Sequence, residues 1–272
     1  MPIIVGVKFF IYRPPFHTMS KTLFVLCFST FALTAAHAED AAFVPGRPGN
    51  TEIPIAVATG HWQVESELAS YAHDRGQGVS TDTWKAAATS LRYGLAPATD
   101  AEVILRPYAR SHSGGSTDQG FGDVTLRARR SLLDADGGLS FALIGYLTVP
   151  SSHGALGARA TEGGLIATGA MALSDAWSAI LTVGAAAVSA DGGGHAADIY
   201  GGANLGYALN SRLGAYAEVF ADKTDGSPSV LVMQTGFTFL LDATTQLDAG
   251  VEPGISRAAD DVRVFIGWAH RY

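Results

Sequence analysis

From residue 60 to the C-terminus the chain repeats one unit about twelve times: a segment of roughly ten residues in which apolar and polar side chains alternate, closed by a turn. The connections alternate too. Short ones fall at 96–100, 134–138, 174–176, 210–211 and 242–244, built from Asp, Asn, Ser, Pro and Gly as tight turns require. Between them lie longer ones at 72–81, 110–120, 151–163, 189–197 and 222–229, with a shorter sixth at 256–261. A period of two gives every segment two faces, so the chain is all-β. Such faces suit a soluble sandwich with a wet outside, or a membrane barrel with an apolar outside and a watery lumen. Strict alternation of short and long connections selects the second, an antiparallel up-and-down transmembrane β-barrel of about twelve strands over residues 60–272.

The faces separate cleanly in several segments. Leu139, Phe141, Leu143, Leu147 and Val149 share one side, and Ser140, Tyr146 and Thr148 the other. Leu247, Ala249 and Val251 oppose Gln246, Asp248 and Glu252. In "GFGDVTLRARRSL", residues 120–132, Val124, Leu126 and Ala128 oppose Asp123, Thr125, Arg127 and Arg129. Arg130 falls on the apolar side, but beside a turn, where a long side chain snorkels to headgroups. Trp62, Trp84, Trp177, Tyr207 and Trp268 lie near segment ends, as an aromatic girdle requires. The last segment alternates to a terminal Tyr272, the kind of ending read by the outer-membrane barrel assembly machinery, which makes that machinery an expected partner alongside outer-membrane lipid.

Composition agrees. Only 16% of the 272 residues are charged, against roughly 25% in a typical soluble domain. Met19-Ser20-Lys21, an apolar run from Leu23 to Leu33 and then Ala36-His37-Ala38 form a secretory signal over residues 19–38, so residues 1–18 read as an over-called start. Cys27, the single cysteine, lies inside that signal, which excludes disulfides and thiol chemistry from the exported chain. Removing residues 1–38 takes away Lys8, Arg13 and Lys21 and no acid, leaving 15 basic against 25 acidic residues, a charge of −10. Such a chain is a poor nucleic-acid binder. Past the signal no run reaches the ~18 apolar residues of a membrane helix. Residues 39–59 carry three prolines and little periodicity, and read as an extended, partly ordered N-terminal arm.

With the barrel in view, the chain resembles the outer-membrane proteins grouped under the meta-pathway of phenol degradation, often labelled transporters. The resemblance lies in "GHWQVESE" from Gly60, "LRYGL" from Leu91, "GFGDVTLRARRSL" from Gly120, "LTVPSS" from Leu147, "NLGY" from Asn204, "YAEVF" from Tyr216, "LDAGVEPGI" from Leu247 and the final "FIGWAHRY". These cover nearly all of the exported chain, and the Gly-x-Gly-Asp stretch is the most specific. The family more often has Pro-Thr-Gly where this chain has Pro150-Ser151-Ser152, and Phe where it has Tyr272. The resemblance implies a barrel that passes small solutes, aromatic or hydrophobic ones among them.

The charges assigned to the inner face are Glu65, Glu67, Glu102, Arg106, Asp123, Arg127, Arg129, Glu218, Asp248 and Glu252. In a lumen between the filled eight-strand case and a porin, they either line a solute path or form a hydrated network that holds the wall. Asp123 is expected to pair with an arginine of a neighbouring strand, and Arg127 and Arg129 to face lumen water. The leading reading is a channel with a narrow charged lumen; the alternative is a closed structural or surface-binding barrel. A lipid hydrolase needs a Ser and a His brought together, whereas Ser111-His112 and Ser152-His153 are adjacent pairs whose side chains point to opposite faces. His73, His112, His153 and His195 are placed in external loops without metal-ligand spacing, and Gly192 to Gly194 precede no phosphate-binding Lys-Ser/Thr. Neither a metal nor a cofactor is expected.

Overall fold

The computed structural model describes residues 43–76, 78–134, 138–152, 156–190 and 192–272. Residues 1–18 and 19–38, read from the sequence as an over-called start and a secretory signal, lie outside the described residues, as does His153. Fourteen strands are formed: β1 (Trp62–Gly76), β2 (Val79–Ala96), β3 (Thr99–Leu105), β4 (Tyr108–Ser113), β5 (Ser116–Gly120), β6 (Val124–Asp134), β7 (Leu139–Val149), β8 (Glu162–Ala172), β9 (Trp177–Ser189), β10 (His195–Ala208), β11 (Leu213–Thr224), β12 (Val230–Asp242), β13 (Thr245–Pro253) and β14 (Val262–Arg271). They make twelve staves. The long β2 pairs with β3 at one end and β4 at the other, so Arg106-Pro107 merely interrupts one stave, and residues 121–123 interrupt the next between β5 and β6. Proline lacks the ladder donor, which is why the break falls at Pro107. Every neighbour pairing is antiparallel, and β1 pairs with both β2 and β14, which closes the barrel; only the short β5, paired with β4 alone among the described residues, keeps an open edge.

The outside is apolar because each stave turns its odd or even set to lipid: Leu143, Leu147, Leu165, Leu181, Val183, Val219, Phe237 and Ile266 are all exposed. Their sequence neighbours point inward, and the buried set is dominated by polar groups such as Gln63, Glu65, Arg92, Asp100, Thr168, Thr182, Glu218 and Gln234. This inversion is what a barrel in lipid requires. Aromatic pairs mark its rims: Trp62 with Tyr93 at 4.7 Å and Trp177 with Tyr207 at 4.6 Å at the short-turn end, and Tyr71 with Trp84 at 4.5 Å toward the other. Arg130 hooks the adjacent turn, donating to the Pro97 carbonyl at 2.8 Å and the Thr99 hydroxyl at 2.7 Å.

Two connections read as long loops are not loops. Residues 72–81 and 110–120 are mostly strand, with β1 and β2 running on to the pair Gly76–Val79, and β4 and β5 meeting across Gly114-Gly115. Both of those glycines have positive φ, 55° and 87°, the conformation that a two-residue turn of right-handed strands demands. The polar residues between are paired across strands, as in Thr81 with Ser113 at 2.8 Å and His73 with Asp82 at 2.8 Å. His73 and His112 therefore sit in strands rather than loops, and His195 is the first residue of β10.

Candidate functional site: a lumen occupied by the N-terminal arm

The described part of the arm, residues 43–59, does not trail from the barrel; it lies inside it. Thr51, Ile53 and Val57 are each 5% exposed or less, and Pro54 is fully buried. An irregular segment has backbone donors that no ladder satisfies, and here the inward side chains supply the acceptors. Glu65 on β1 accepts from the amides of Gly46 and Arg47 at 3.1 and 2.9 Å. Glu218 on β11 accepts from the amides of Asn50 and Thr51 at 2.7 and 3.0 Å and from the Thr51 hydroxyl at 2.6 Å. The Glu52 amide donates to Thr182 at 2.9 Å, the Ala56 amide to Ser131 at 3.0 Å and the Val57 amide to Asp100 at 2.9 Å. The arm thus makes a circuit of the lumen wall, from β1 and β13 to β11, across β9 and β6 to β3, before joining β1.

Ion pairs fix it at two points. Arg47 makes a fork to Asp248, with Nε at 3.1 Å and Nη2 at 2.9 Å, and packs over Phe265 at 5.9 Å from the ring centre. Gly267 on β14 leaves room for that guanidinium, since a Cβ there would fall on it. Glu52 is held by Arg127 at 2.6 Å and Arg129 at 3.2 Å. Arg129 also donates to the Ile55 carbonyl at 3.2 Å, as Arg92 does at 3.0 Å. Behind these lie pairs within the wall: Arg92 with Asp100 at 2.6 Å, Arg127 with Glu102 at 3.4 Å, and Arg263 with Glu67 and, at 3.4 Å, with Glu252.

Of the ten charges assigned to the inner face, Glu65, Arg127, Arg129, Glu218, Asp248 and Glu252 bind the arm directly, Glu252 through the Asn50 side chain at 2.8 Å. Glu67 and Glu102 belong to the wall pairs. Three expectations are corrected. Arg127 and Arg129 do not face open water but an acid of the arm, and are 10% and 3% exposed. The network is not hydrated throughout, because Glu218 is 1% exposed. Among the described residues Asp123 pairs with no strand arginine: its carboxylate accepts from the amides of Ser151 at 2.8 Å, Ser152 at 2.9 Å and Ala158. Burial of that carboxyl raises its pKa, but these three donors outweigh the effect and hold it below the usual range. Arg106 donates only to neutral groups, the Asp123 carbonyl at 3.2 Å and the Thr125 hydroxyl at 3.3 Å.

Sequence reasoning missed Arg47, Thr51 and Glu52 of the arm, and on the wall Arg92 and Asp100, which meet the Ile55 carbonyl and the Val57 amide. The usable signal was an exported arm carrying Arg47 and Glu52 between three prolines, ahead of a lumen rich in charge. Cavities lie on both sides of the arm. One, of about 410 Å³, lies toward the short turns against Trp177, Tyr207 and Tyr216; the other, of about 470 Å³, lies toward the opposite mouth among Glu67, Lys85, Glu102, Arg106 and Arg127. Ser111 and His112 face apart, the first toward Thr83 and the second toward Thr117 at 2.9 Å, so they share no proton. No group of three His, Cys, Asp or Glu able to hold a metal is present among the described residues.

The chain is similar in fold to an outer-membrane channel from Pseudomonas putida F1, with a TM-score of 0.62 and 17% identity over 83% of this chain and 99% of the other. It is also similar to the NanC porin, with a TM-score of 0.50 and 8% identity over 77% of this chain and 98% of that one. The translocator domain of the autotransporter NalP from Neisseria meningitidis has a TM-score of 0.50 and 13% identity over 79% of this chain and 90% of that domain. No curated protein sequence matches. The likeness shows the closed-barrel fold; outer-membrane barrels carry short turns at the periplasmic end and longer connections at the cell surface, and the ends are named accordingly. Residues 45–272 match the family described as "Putative MetA-pathway of phenol degradation", and the chain belongs to that outer-membrane family.

Proposed function

We propose that the barrel passes small solutes across the outer membrane, through a lumen whose bore is set by residues 43–59. One observation carries this reading: the arm is held by hydrogen bonds and ion pairs to a polar wall, with a cavity on each side of it, rather than by an apolar core. A segment bound that way can shift between partners of like chemistry, whereas one packed among Leu and Phe cannot. The family description favours small aromatic or hydrophobic solutes, and the ten inward charges are then residues of the solute path. Catalysis is not part of this reading. We also assign to β14, which ends beside Tyr272, the role of recognition strand for the barrel assembly machinery.

The near-complete burial of Thr51, Ile53, Pro54 and Val57 favours a second reading, a closed barrel whose surface does the binding. Planar-bilayer recording of the refolded full barrel separates the two. Steady single-channel steps support passage, and electrical silence together with no uptake of small aromatic solutes into liposomes supports the closed barrel.

A further inference from the structure

We propose that the cell-surface cavity of the lumen is a binding site for amphiphilic monocarboxylates, with Lys85 and Arg106 receiving the carboxylate and Ile104, Tyr108 and Leu156 the apolar body. This deepens the passage reading and rests on it for the meaning of binding, though not for binding itself.

The argument begins with a contrast among the cations of the lumen. Arg47, Arg92, Arg127, Arg129 and Arg263 each have a carboxylate within 3.4 Å. Lys85 and Arg106 line the same cavity, and among the described residues neither has a carboxylate within 4.0 Å. Lys85 makes no hydrogen bond there either, and Arg106 is held by a carbonyl and a hydroxyl, which orient the guanidinium without neutralising it. The two cations lie along the same pair of staves. Lys85 on β2 is opposite Ala109 on β4, and Arg106 lies three residues before Ala109 in the same stave.

The placement of Arg106 is specific. It sits at the break between β3 and β4, where its carbonyl accepts the Gly122 amide at 2.8 Å. A Cβ at Gly122 would come within 2.8 Å of the Arg106 Cβ, so glycine at that position is what lets the arginine lie along the wall. The next residue, Asp123, pins the amides of Ser151, Ser152 and Ala158, and the loop so held carries Leu156 into the cavity lining. The Gly-Phe-Gly-Asp stretch therefore places both halves of the site, a guanidinium without a carboxylate partner and the apolar lining residue Leu156.

A cavity of about 470 Å³ is within the range that holds small organic ligands, typically mostly apolar with a few placed polar groups. The acids that line the cavity, Glu52, Glu65, Glu67 and Glu102, are each paired with an arginine, so two cations without a carboxylate at ion-pair distance, beside Ile104 and Leu156, match a ligand with one anionic end and one apolar end. A neutral hydrocarbon would leave both charges unanswered, and a compact inorganic anion would leave the apolar wall wet.

The test is equilibrium dialysis of radiolabelled 4-phenylbutyrate against the full barrel in nanodiscs, with empty nanodiscs subtracted and heat-modifiable gel migration used to verify folding. Saturable binding is expected, with 4-phenylbutyramide at least 10-fold weaker because the cations have nothing to meet. Lys85→Gln and Arg106→Gln should each weaken binding about 3- to 10-fold, Lys85→Arg should retain it, and Arg75→Gln, which removes an exposed cation outside the cavity, should leave it unchanged. No saturable binding, equal affinity for the amide, or folded Lys85→Gln and Arg106→Gln proteins that bind as the parent does would each overturn the proposal. Binding with electrical silence in bilayers would instead sink the passage reading and leave this site standing.

Discussion

Glutamine in place of Glu52 should release the arm. In the parent, Glu52 lies 2.6 Å from Arg127 and 3.2 Å from Arg129, whose side chains are 10% and 3% exposed. The amide removes the negative charge and keeps the shape. Arg129 is then left with the Ile55 carbonyl, and Arg127 with Glu102 at 3.4 Å. Removing one partner of a buried pair costs about 3–5 kcal/mol. The glutamine oxygen still accepts one hydrogen bond, which returns about 1 kcal/mol or more and leaves a net loss of about 2–3 kcal/mol from arm docking. At 1.36 kcal/mol per tenfold that is about a 10²-fold rise in the undocked fraction. Hydrogen exchange followed by mass spectrometry reads it directly, because the amides of Gly46, Arg47, Asn50, Thr51, Glu52, Ala56 and Val57 are protected only by barrel side chains. Peptides spanning 43–59 should lose protection by that factor while the strands keep theirs, and bilayer conductance should rise. Unchanged arm protection in Glu52→Gln would show that the ion pairs do not hold the arm.

Leu143 is exposed and sits near the middle of the eleven-residue β7, close to the bilayer midplane, so Leu143→Arg should cost about 2–4 kcal/mol in urea unfolding from lipid; a loss below about 1 kcal/mol would contradict the lipid-facing placement. The Asp123 carboxyl is depressed in the folded state, so its contribution is present above the ordinary aspartate value of about 3.9 and is lost as pH falls through the lower folded value. The amides of Ser151, Ser152 and Ala158 should accordingly stay protected from hydrogen exchange at pH 5 to 7 and lose protection only in stronger acid, whereas Asp123→Asn should expose them at neutral pH, and protection equal to the parent would refute the pinning role. Mass spectrometry of the exported protein should find Glu39 at its start, and recovery of Lys8 or Arg13 would defeat the assignment of the signal to residues 19–38.

The staves could be read from the sequence because lipid and lumen impose opposite chemistry on alternate residues, and Leu143 beside Ala142 or Asp248 beside Leu247 records it. The extended strands at 72–81 and 110–120 could not. Beyond the bilayer both faces of a strand meet water, the alternation fades, and glycines alone, Gly78 in one hairpin and the pair at 114 and 115 in the other, mark where the chain reverses. The ten inward charges were legible as inward, but their partners were not. Most of those partners are arm groups, and an irregular segment has no period from which Glu52 could be set against Arg127, or Arg47 against Asp248. Asp123 was misread for a related cause: a carboxylate that gathers backbone amides from a distant loop leaves no complementary residue type in the sequence to find.

The arm enters β1 directly through Gly60 and His61, with the Gly60 amide on the Gly94 carbonyl at 2.8 Å and the Gly94 amide on the His61 carbonyl at 3.1 Å. That junction is a tether at the rim of the chamber the arm occupies. A released arm cannot diffuse away, and a link of so few residues keeps it at an effective concentration in the millimolar range or above. Re-docking is therefore unimolecular, indifferent to how many barrels the membrane holds, and the occupied fraction is set only by the free energy of the docked contacts. A soluble peptide copying residues 43–59 would compete poorly for the same lumen, however well its side chains matched the wall.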